Sequence, residues 1–305
     1  MKTLLLDAHS ICYRAKYSPL VGLRVGNQFT GIMYGFFREL HVLLKLFTPD
    51  RIVFTWDSKG SLRKKLFPTY KENRYTRIQT AEEIAFDEAC SKQFVMLRDE
   101  VIPRIGFNNN YKFEGYEADD LIASIVQNNL GDFVIASSDM DLYQLLSDRI
   151  SMYLLSTKKR YTERHFIDEY EILPKQWVRV KSLAGCSSDN VGGIPHVGNK
   201  TACKFLTNRL NTESKAYHAI ISNRGKSIAR RNYDLVCLPF KGTPVIKLGT
   251  DALSISELKL VFLDYNFRSL LKPDVFNEIQ RLLRGGSYYG EKQSGCGKSV
   301  KTQGE

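Results

Sequence analysis

Several features that define particular classes of protein are missing from this sequence. The six cysteines include no Cys-x-x-Cys pair and share no metal-ligand spacing with the five histidines, which argues against a structural zinc site. No apolar run is long enough to cross a bilayer, and the N-terminus lacks a signal-peptide pattern. No internal repeat is present. We therefore expect a cytoplasmic protein with free thiols and no membrane contact.

The composition sets the remaining bounds. A chain of 305 residues with 43% hydrophobic content can bury a full core. Its net charge of +11 favours a polyanionic partner such as nucleic acid. Residues 285–305 are rich in Gly, Ser, Lys and Gln, so we predict a disordered tail there.

Three short apolar runs are continuous rather than alternating, at residues 2–7, 51–57 and 132–139. Such runs are typical of strands buried on both faces of a parallel sheet. Between the first two, residues 31–46 carry apolar side chains at helical spacing. This alternation predicts an α/β fold. Each run ends in an aspartate, and ligands bind beyond the carboxyl ends of parallel strands, so we expect these aspartates to meet at one sheet edge.

Seven acidic residues are clustered at those strand ends and at the start of a predicted helix near residue 116. They are Asp7 and Asp57, then Glu117, Asp119 and Asp120, then Asp139 and Asp141. Any one of them could simply cap a helix and complement its dipole. The whole set would be mutually repulsive without cations between its members. Clustered hard oxygen ligands in a basic chain indicate a metal-dependent nuclease.

A basic and aromatic segment follows Asp57. Residues 59–77 contain seven Lys or Arg against one acid, with Phe67, Tyr70 and Tyr75 interleaved. A run of charge is usually a solvated face. Charges that contact phosphates and rings that stack on bases would suit single-stranded DNA.

A glycine-rich turn at residues 192–202 opens a helical pattern. Such a turn presents free backbone amides to a phosphate, although the bare pattern is weak evidence. Basic residues surround it and predict phosphate anchoring without sequence readout. They are Lys200, Lys204, Arg209, Lys215, Arg224, Lys226, Arg230 and Arg231.

Three segments, residues 115–120, 138–146 and 183–190, resemble successive motifs of the 5′ nuclease, or flap endonuclease, family. The likeness is to the 5′-nuclease domain of bacterial DNA polymerase I and to free-standing phage relatives, and it runs from about residue 2 to about residue 210. It implies a PIN-like three-layer core with a mainly parallel sheet, a helical arch and a helix-hairpin-helix extension. No polymerase segment follows, so we expect a stand-alone nuclease of the kind that phages encode, acting in the host cytoplasm.

This resemblance implies the organisation of the chain. A nuclease core would cover residues 1–175 and include a basic arch at about 59–105. A helical duplex-DNA-binding region with the helix-hairpin-helix would cover residues 176–284.

The resemblance also implies the metal ligands. One site would be held by Asp7, Asp57, Glu117 and Asp119. Asp120, Asp139, Asp141 and Asp189 would serve or border a second. Two Mg²⁺ ions, replaceable by Mn²⁺, about 4 Å apart can activate a water and stabilise both oxygens of an in-line displacement. We expect Asp119 to touch both ions.

The implied DNA-binding residues lie in three segments. Residues 67–74 resemble the family's Pro-x-Tyr-Lys-x-x-Arg motif at the base of the arch, which assigns Tyr70 to stacking, and Lys71 and Arg74 to the scissile phosphate. Arg14 fits a basic position of the family, and we expect it to contact phosphate. In the turn at 192–202, which resembles the hairpin that grips duplex DNA, Gly198 and Lys200 would contact the backbone.

Two positions depart from the family pattern. Cys186 stands where the motif Gly-Asp-x-x-Asp-Asn has its first acid, and His196 stands where the hairpin has its first glycine. A thiol is a poor Mg²⁺ ligand, so we expect looser binding of the second metal. Neither His196 nor His9 is assigned a chemical role.

The resemblance implies a Mg²⁺-dependent 5′-3′ exonuclease or flap endonuclease that leaves a 5′-phosphate and a 3′-hydroxyl and removes RNA primers during replication. Its substrates would be DNA with 5′ flaps or ends and RNA–DNA hybrids, and it would be a monomer that works with a single-stranded-DNA-binding protein or a sliding clamp. One alternative is a structure-specific DNA-binding protein weakened in catalysis. Another is a PIN-type ribonuclease, although such domains rarely carry an arch motif and a helix-hairpin-helix together.

Overall fold

The computed structural model describes residues 1–75 and 78–285. Of the tail predicted to be disordered, residues 285–305, all but Gly285 lie outside this part of the chain. The strands are β1 Lys2–Asp7, β2 Arg24–Val25, β3 Gln28–Phe29, β4 Arg51–Thr55, β5 Asn110–Tyr111, β6 Asp132–Ser137, β7 Ile150–Leu154, β8 Lys159–Tyr161, β9 Gly185–Cys186 and β10 Val191–Gly192. The longer helices are α1 Ala8–Lys16, α2 Gly31–Phe47, α4 Ala81–Met96, α6 Ala118–Asn128, α7 Glu163–Tyr170, α8 Trp177–Ala184, α9 Asn199–Leu206, α10 Lys215–Ile221, α11 Asn223–Val236, α12 Ile255–Asp264 and α13 Pro273–Arg284. Two short helices complete the set, α3 Arg63–Leu66 and α5 Ile102–Ile105.

The central sheet has six strands in the order β5-β4-β1-β6-β7-β8. All neighbours are parallel except β8, which pairs antiparallel with β7. The three apolar runs form β1, β4 and β6 at the centre, as predicted. Their continuous apolar sequence follows from burial on both faces.

Helices cover both faces of this sheet. In β1, Leu4 and Leu6 pack into one core with α1, α2 and α5, whereas Leu5 packs into the other with α6, α7 and α8. Successive strand residues point to opposite faces, so each strand contributes to both layers. The predicted three-layer α/β core is confirmed.

Helices α12 and α13 pack in a different part of the molecule from the one that the predicted division of the chain implies. Their apolar side chains, including Leu258, Phe262 and Phe276, lie in the same core as Phe36 and Phe37 of α2. By packing, the segment 255–284 therefore belongs to the core of the central sheet, although it lies within residues 176–284, whose role in binding duplex DNA stays a prediction. The amphipathic pattern of these helices gave no indication of which layer they would join.

The segment between β4 and β5 contains the predicted arch. It includes α3, a 3₁₀ turn at Glu72–Tyr75 and α4, and it returns through a π-helical turn into α5. Residues 76 and 77, and with them Arg77 of the basic run, lie outside the described residues. Helix α4 is attached to the body where Ile32 N–H donates to Gln93 Oε1 at 3.0 Å and where Lys16 pairs with Asp87 at 2.6 Å.

The helix-hairpin-helix consists of α8, the short β9–β10 pair, a turn and α9. Gly185 has a φ of +75°, and a Cβ at this residue would lie 2.3 Å from Val191 O. His196 has a φ of +68°. A left-handed backbone favours glycine, which explains why the family pattern has glycine at the position of His196.

The cysteines in the described part of the chain are free thiols, as predicted. The free cysteines are Cys12, Cys90, Cys186, Cys203 and Cys237, and Cys296 lies outside it. Among the described residues, no helix is both long enough and apolar enough to span a bilayer.

Candidate active site

Asp7 is the last residue of β1 and caps helix α1. Its Oδ1 accepts a hydrogen bond from Ser10 N–H at 2.9 Å, and its Oδ2 accepts one from Ser137 Oγ at 2.8 Å. Ser137 ends β6, the neighbouring strand. The side chain of Asp7 is therefore fixed at the carboxyl edge of the sheet, where the sequence placed it.

Asp57 lies two residues beyond β4, and its Oδ1 accepts a hydrogen bond from Ala118 N–H at 2.7 Å. Ala118 is the first residue of α6, which begins within two residues of its predicted start. This bond joins the end of β4 to the N-terminus of α6, so Glu117 and Asp119 lie beside Asp57.

The carboxylates at this edge repel one another. Burial, reinforced by the charge of Asp57, raises the pKa of Asp7 to about 7. Burial and the charges of Asp139, Asp7 and Asp57 raise the pKa of Asp119 well above its ordinary value. Burial and the neighbouring charge of Asp141 raise the pKa of Asp139 to about 6. The structure thus brings Asp7, Asp57, Asp119 and Asp139 into one electrostatic cluster, which a bound cation would stabilise.

A second group of candidate metal ligands contains a cysteine. The ligand atoms of Asp141, Cys186 and Asp189 all lie within 4.8 Å of one another, close enough to hold one metal ion. Lys181 Nζ lies 2.8 Å from Asp141 Oδ1. The position predicted to weaken the second metal site therefore lies among its predicted ligands.

Asp120 does not fit its predicted role as a metal ligand. It is 0% exposed, and its two carboxylate oxygens accept hydrogen bonds from the guanidinium of Arg63 at 2.7 and 2.8 Å. Phe240 N–H and Glu117 N–H donate to the same carboxylate. With these donors on both oxygens, Asp120 is a structural ion-pair residue, which corrects the prediction.

Tyr70 does not fit its predicted stacking role. It is 3% exposed, so its ring is not available to a base. Its hydroxyl donates to Glu117 Oε2 at 3.1 Å and lies 3.3 Å from Asp189 Oδ2. Tyr70 therefore links a carboxylate of the first predicted metal site to one of the second, and stacking on a base would require the ring to move from this position.

Lys71 and Arg74 lie at the acidic residues, as expected of groups near a reacting phosphate. Lys71 Nζ is 2.8 Å from Glu117 Oε2 and 3.9 Å from Asp189 Oδ1. A guanidinium nitrogen of Arg74 is 2.8 Å from Asp189 Oδ1, and about half of the Arg74 side chain is exposed. These cations offset part of the negative charge of the cluster.

The turn that carries these cations is bound to the turn that carries Asp189. Lys71 has a left-handed backbone with a φ of +57°, a conformation that costs on the order of 1 kcal/mol, and its N–H donates to Asp189 O at 2.8 Å. Asn190 Nδ2 donates to Thr69 O, and Asn73 Nδ2 donates to Ser187 O. The arch base and the second predicted metal site therefore form one unit.

The remaining predicted DNA-binding residues are on the surface. Arg14 is exposed in the last turn of α1. Gly198 is the N-cap of α9 and makes no side-chain cap, and a Cβ there would meet nothing within 4 Å. Lys200 is exposed in the first turn of the same helix. The start of α9 is open to a phosphate.

The sequence did not indicate the roles of two residues of the site. Arg63 was counted among the basic arch residues, but it is buried and organises Asp120 and Glu117. Lys181 is also buried and pairs with Asp141. For Lys181 the only available signal was a lysine among the apolar positions of α8, five residues before Cys186.

Comparison with known proteins identifies the family. The family model for the 5′-3′ exonuclease N-terminal resolvase-like domain matches residues 2–171. The chain belongs to this 5′-3′ exonuclease family. It is therefore a nuclease, an enzyme that hydrolyses phosphodiester bonds.

Curated relatives of this 5′-3′ exonuclease family member include bacterial proteins. The chain is 32% identical over 216 residues to a 5′-3′ exonuclease of Bacillus subtilis (strain 168), covering 67% of this chain and 69% of that protein. It is 28% identical over 294 residues to DNA polymerase I of the same organism, covering 89% of this chain. The chain spans 32% of the length of that polymerase.

Solved structures with the same fold include the T5 D15 protein co-crystallised with metal ions. That match has a TM-score of 0.67 and 19% identity, and covers 93% of this chain and 99% of the other. Flap endonuclease-1 from Methanococcus jannaschii matches with a TM-score of 0.55 and 14% identity over 93% of each chain. The predicted PIN-like 5′-nuclease fold is confirmed.

Proposed function

We propose that this chain is a Mg²⁺-dependent, structure-specific 5′ nuclease that cuts DNA near 5′ flaps and ends and removes RNA primers. The observation that carries this proposal is the convergence of Asp7, Asp57, Asp119 and Asp139 at one sheet edge, with Lys71 held 2.8 Å from Glu117 beside them. A pure DNA-binding surface gains nothing from carboxylates that repel both one another and the phosphate backbone.

The residues present fit divalent cations. The carboxylates at the first position, Asp7, Asp57, Glu117 and Asp119, are hard oxygen donors of the kind that Mg²⁺ prefers. Asp139, Asp141 and Asp189 would hold a second ion, and Mn²⁺ would substitute for Mg²⁺. The raised pKa values of Asp7, Asp119 and Asp139 support this fit, because burial and then mutual repulsion disfavour their negative charge, which a cation would offset. When bound, two such ions supply an activated water and stabilise the attacking and leaving oxygens.

Lys71 and Arg74 would bind the scissile phosphate. Both now pair with carboxylates of the cluster, Lys71 with Glu117 and Arg74 with Asp189. An entering phosphate would replace these carboxylates as the partner of one or both cations. Lys71 is held at that place by the bond from its N–H to Asp189 O, and Arg74 by its own contact with Asp189. The two cations would stabilise negative charge as it develops in the transition state.

DNA outside the reacting phosphate would be bound in two ways. The uncapped start of α9, with Gly198 and Lys200, would anchor a phosphate of the duplex without sequence readout. The basic segment before α4 would hold the 5′ single strand. Relatives named DNA polymerase I support a role in replication. We propose that the protein acts there in the cytoplasm as a monomer, alongside a single-stranded-DNA-binding protein or a sliding clamp.

One gel tests the proposal. Labelled 5′-flap, nicked, blunt and RNA-primed duplexes are incubated with the protein, with and without Mg²⁺. We expect Mg²⁺-dependent cleavage near the 5′ end of the flap and RNA-primed substrates, with a 5′-phosphate on the product. Tight binding without cleavage would instead favour the catalytically weakened DNA-binding protein, an alternative that the loss of a carboxylate at Cys186 keeps open. Cleavage confined to single-stranded RNA would favour the PIN-type ribonuclease.

A further inference from the structure

We propose that Asp141, Cys186 and Asp189 form a cation site in which the sulfur of Cys186 is a ligand, so that this position takes thiophilic divalent cations of the Zn²⁺ and Cd²⁺ class. The inference rests on the proposed function in placing a metal here, and it deepens that function by naming the class of cation. A carboxylate at residue 186 would make the same site an all-oxygen one.

The geometry brings three donors of two kinds together. The Sγ of Cys186 and carboxylate oxygens of Asp141 and Asp189 all lie within 4.8 Å of one another. Cys186 is 7% exposed and Asp189 is 9% exposed, so both residues are largely shielded from bulk solvent. Three ligands at such separations can close on one ion with small side-chain movements, with water as the fourth ligand of a tetrahedral zinc site.

The backbone around Cys186 holds the sulfur in place. Cys186 ends the two-residue strand β9, where it pairs with Val191 of β10. The preceding Gly185 is in a left-handed conformation with no room for a side chain. The polar partner of the thiol is the hydroxyl of Ser188 at 3.0 Å, a weak contact that a metal ion would replace. The sulfur is therefore preorganised toward the two carboxylates.

Lys181 and Arg74 compete with a metal ion for the two carboxylates of this site. Lys181 Nζ lies 2.8 Å from Asp141 Oδ1, and Arg74 lies 2.8 Å from Asp189 Oδ1. Each carboxylate already has a cationic neighbour, so a cation that gains only from carboxylates must displace them. A thiophilic cation gains the sulfur bond in addition, and it releases the thiol proton to solvent on binding. The donor set thus favours Zn²⁺ or Cd²⁺ over Mg²⁺ at this position.

The test is a Cd²⁺ titration of the reduced, full-length protein without DNA, followed by the sulfur-to-metal charge-transfer absorbance in the ultraviolet. We expect a saturable band in the wild type that Zn²⁺ competes away. Cys186→Ser should abolish this band. Cys237→Ser removes another partly buried thiol and should keep it. Asp141→Asn should weaken the Cd²⁺ affinity by about tenfold or more, because one ligand is lost.

Two outcomes would overturn the proposal. One is a band that persists in Cys186→Ser, which would place the Cd²⁺ on other thiols. The other is an unchanged Cd²⁺ titration in Asp141→Asn, which would show that the sulfur binds Cd²⁺ without the carboxylate of Asp141.

A second variant covers the case in which Cys186→Ser does not fold. Cys186→Asp should lack the band and should lower the Mg²⁺ concentration needed for half-maximal cleavage, because it restores a hard ligand. A band in Cys186→Asp, or an unchanged Mg²⁺ requirement, would count against the proposal. Flap cleavage measured in parallel separates the two claims: a sulfur band in a protein that does not cleave would refute the proposed nuclease function and leave the cation site standing.

Discussion

The guanidinium of Arg63 donates two hydrogen bonds to the carboxylate of Asp120, at 2.7 and 2.8 Å, in the buried interior behind the acidic cluster. Arg63 also donates to Leu235 O, at the end of α11, and lies 3.6 Å from Glu117. One side chain at the base of the arch therefore connects helix α6, which carries the acids, to the helical region after the hairpin.

We predict that Asp120→Asn destabilises the fold. The substitution removes the carboxylate charge that accepts both hydrogen bonds from Arg63 and leaves Glu117, at 3.6 Å, as the remaining carboxylate beside this buried cation. Breaking comparable buried pairs costs about 3–5 kcal/mol. The free energy of unfolding in denaturant measures this cost. As a control, Asp168→Asn removes a carboxylate whose pair with Arg164 is solvent-exposed, and it should change stability little. An Asp120→Asn variant that is as stable as the wild type but needs more Mg²⁺ for cleavage would contradict this role and support Asp120 as a metal ligand.

Tyr70→Phe distinguishes a positioning role from base stacking. The variant keeps the ring and removes the hydroxyl that contacts Glu117 and Asp189. We expect the cleavage rate to fall by about tenfold or more and the Mg²⁺ requirement to rise, because residues that orient metal ligands have effects of this size. Single-turnover cleavage across a Mg²⁺ titration gives both values. If the ring stacked on DNA, the variant would behave like the wild type.

Lys71 and Lys200 should have separable effects. Lys71→Ala should lower single-turnover cleavage by about 10²–10³-fold with little loss of affinity, because its charge acts at the reacting phosphate. Lys200→Ala should instead weaken duplex binding and reduce its salt dependence, since it removes one phosphate contact. Binding isotherms at several salt concentrations, together with the cleavage rates, make the comparison. Identical behaviour of the two variants would contradict this division of roles.

The sequence was sufficient for the parts of the molecule that depend on local pattern. The run at residues 2–7 is continuous and apolar because β1 is buried on both faces, and its terminal Asp7 had to emerge at the sheet edge. The pairing of Arg63 with Asp120 and the burial of Tyr70 against Asp189 depend on residues 57 and 119 positions apart. No local pattern separates a buried arginine or tyrosine from exposed ones within a basic segment.

The interlocking of two motifs could not be predicted for the same reason. Each motif was recognised separately, the arch base by Lys71 and the acidic turn by Asp189. Their contact is a backbone hydrogen bond made by a lysine in a left-handed conformation. The sequence contains no glycine or asparagine at that residue to signal it.

The central claim is that the acids at the sheet edge form the catalytic centre, and Asp119→Asn tests it most directly. Asp119 faces the charges of Asp139, Asp7 and Asp57, so the neutral isostere removes the carboxylate at the middle of the cluster. The measurement is single-turnover cleavage of a labelled 5′ flap in Mg²⁺, with the DNA affinity determined in parallel. We predict that cleavage is abolished while affinity is retained or rises, because a negative charge near the phosphate is lost. Cleavage close to the wild-type rate would contradict the account.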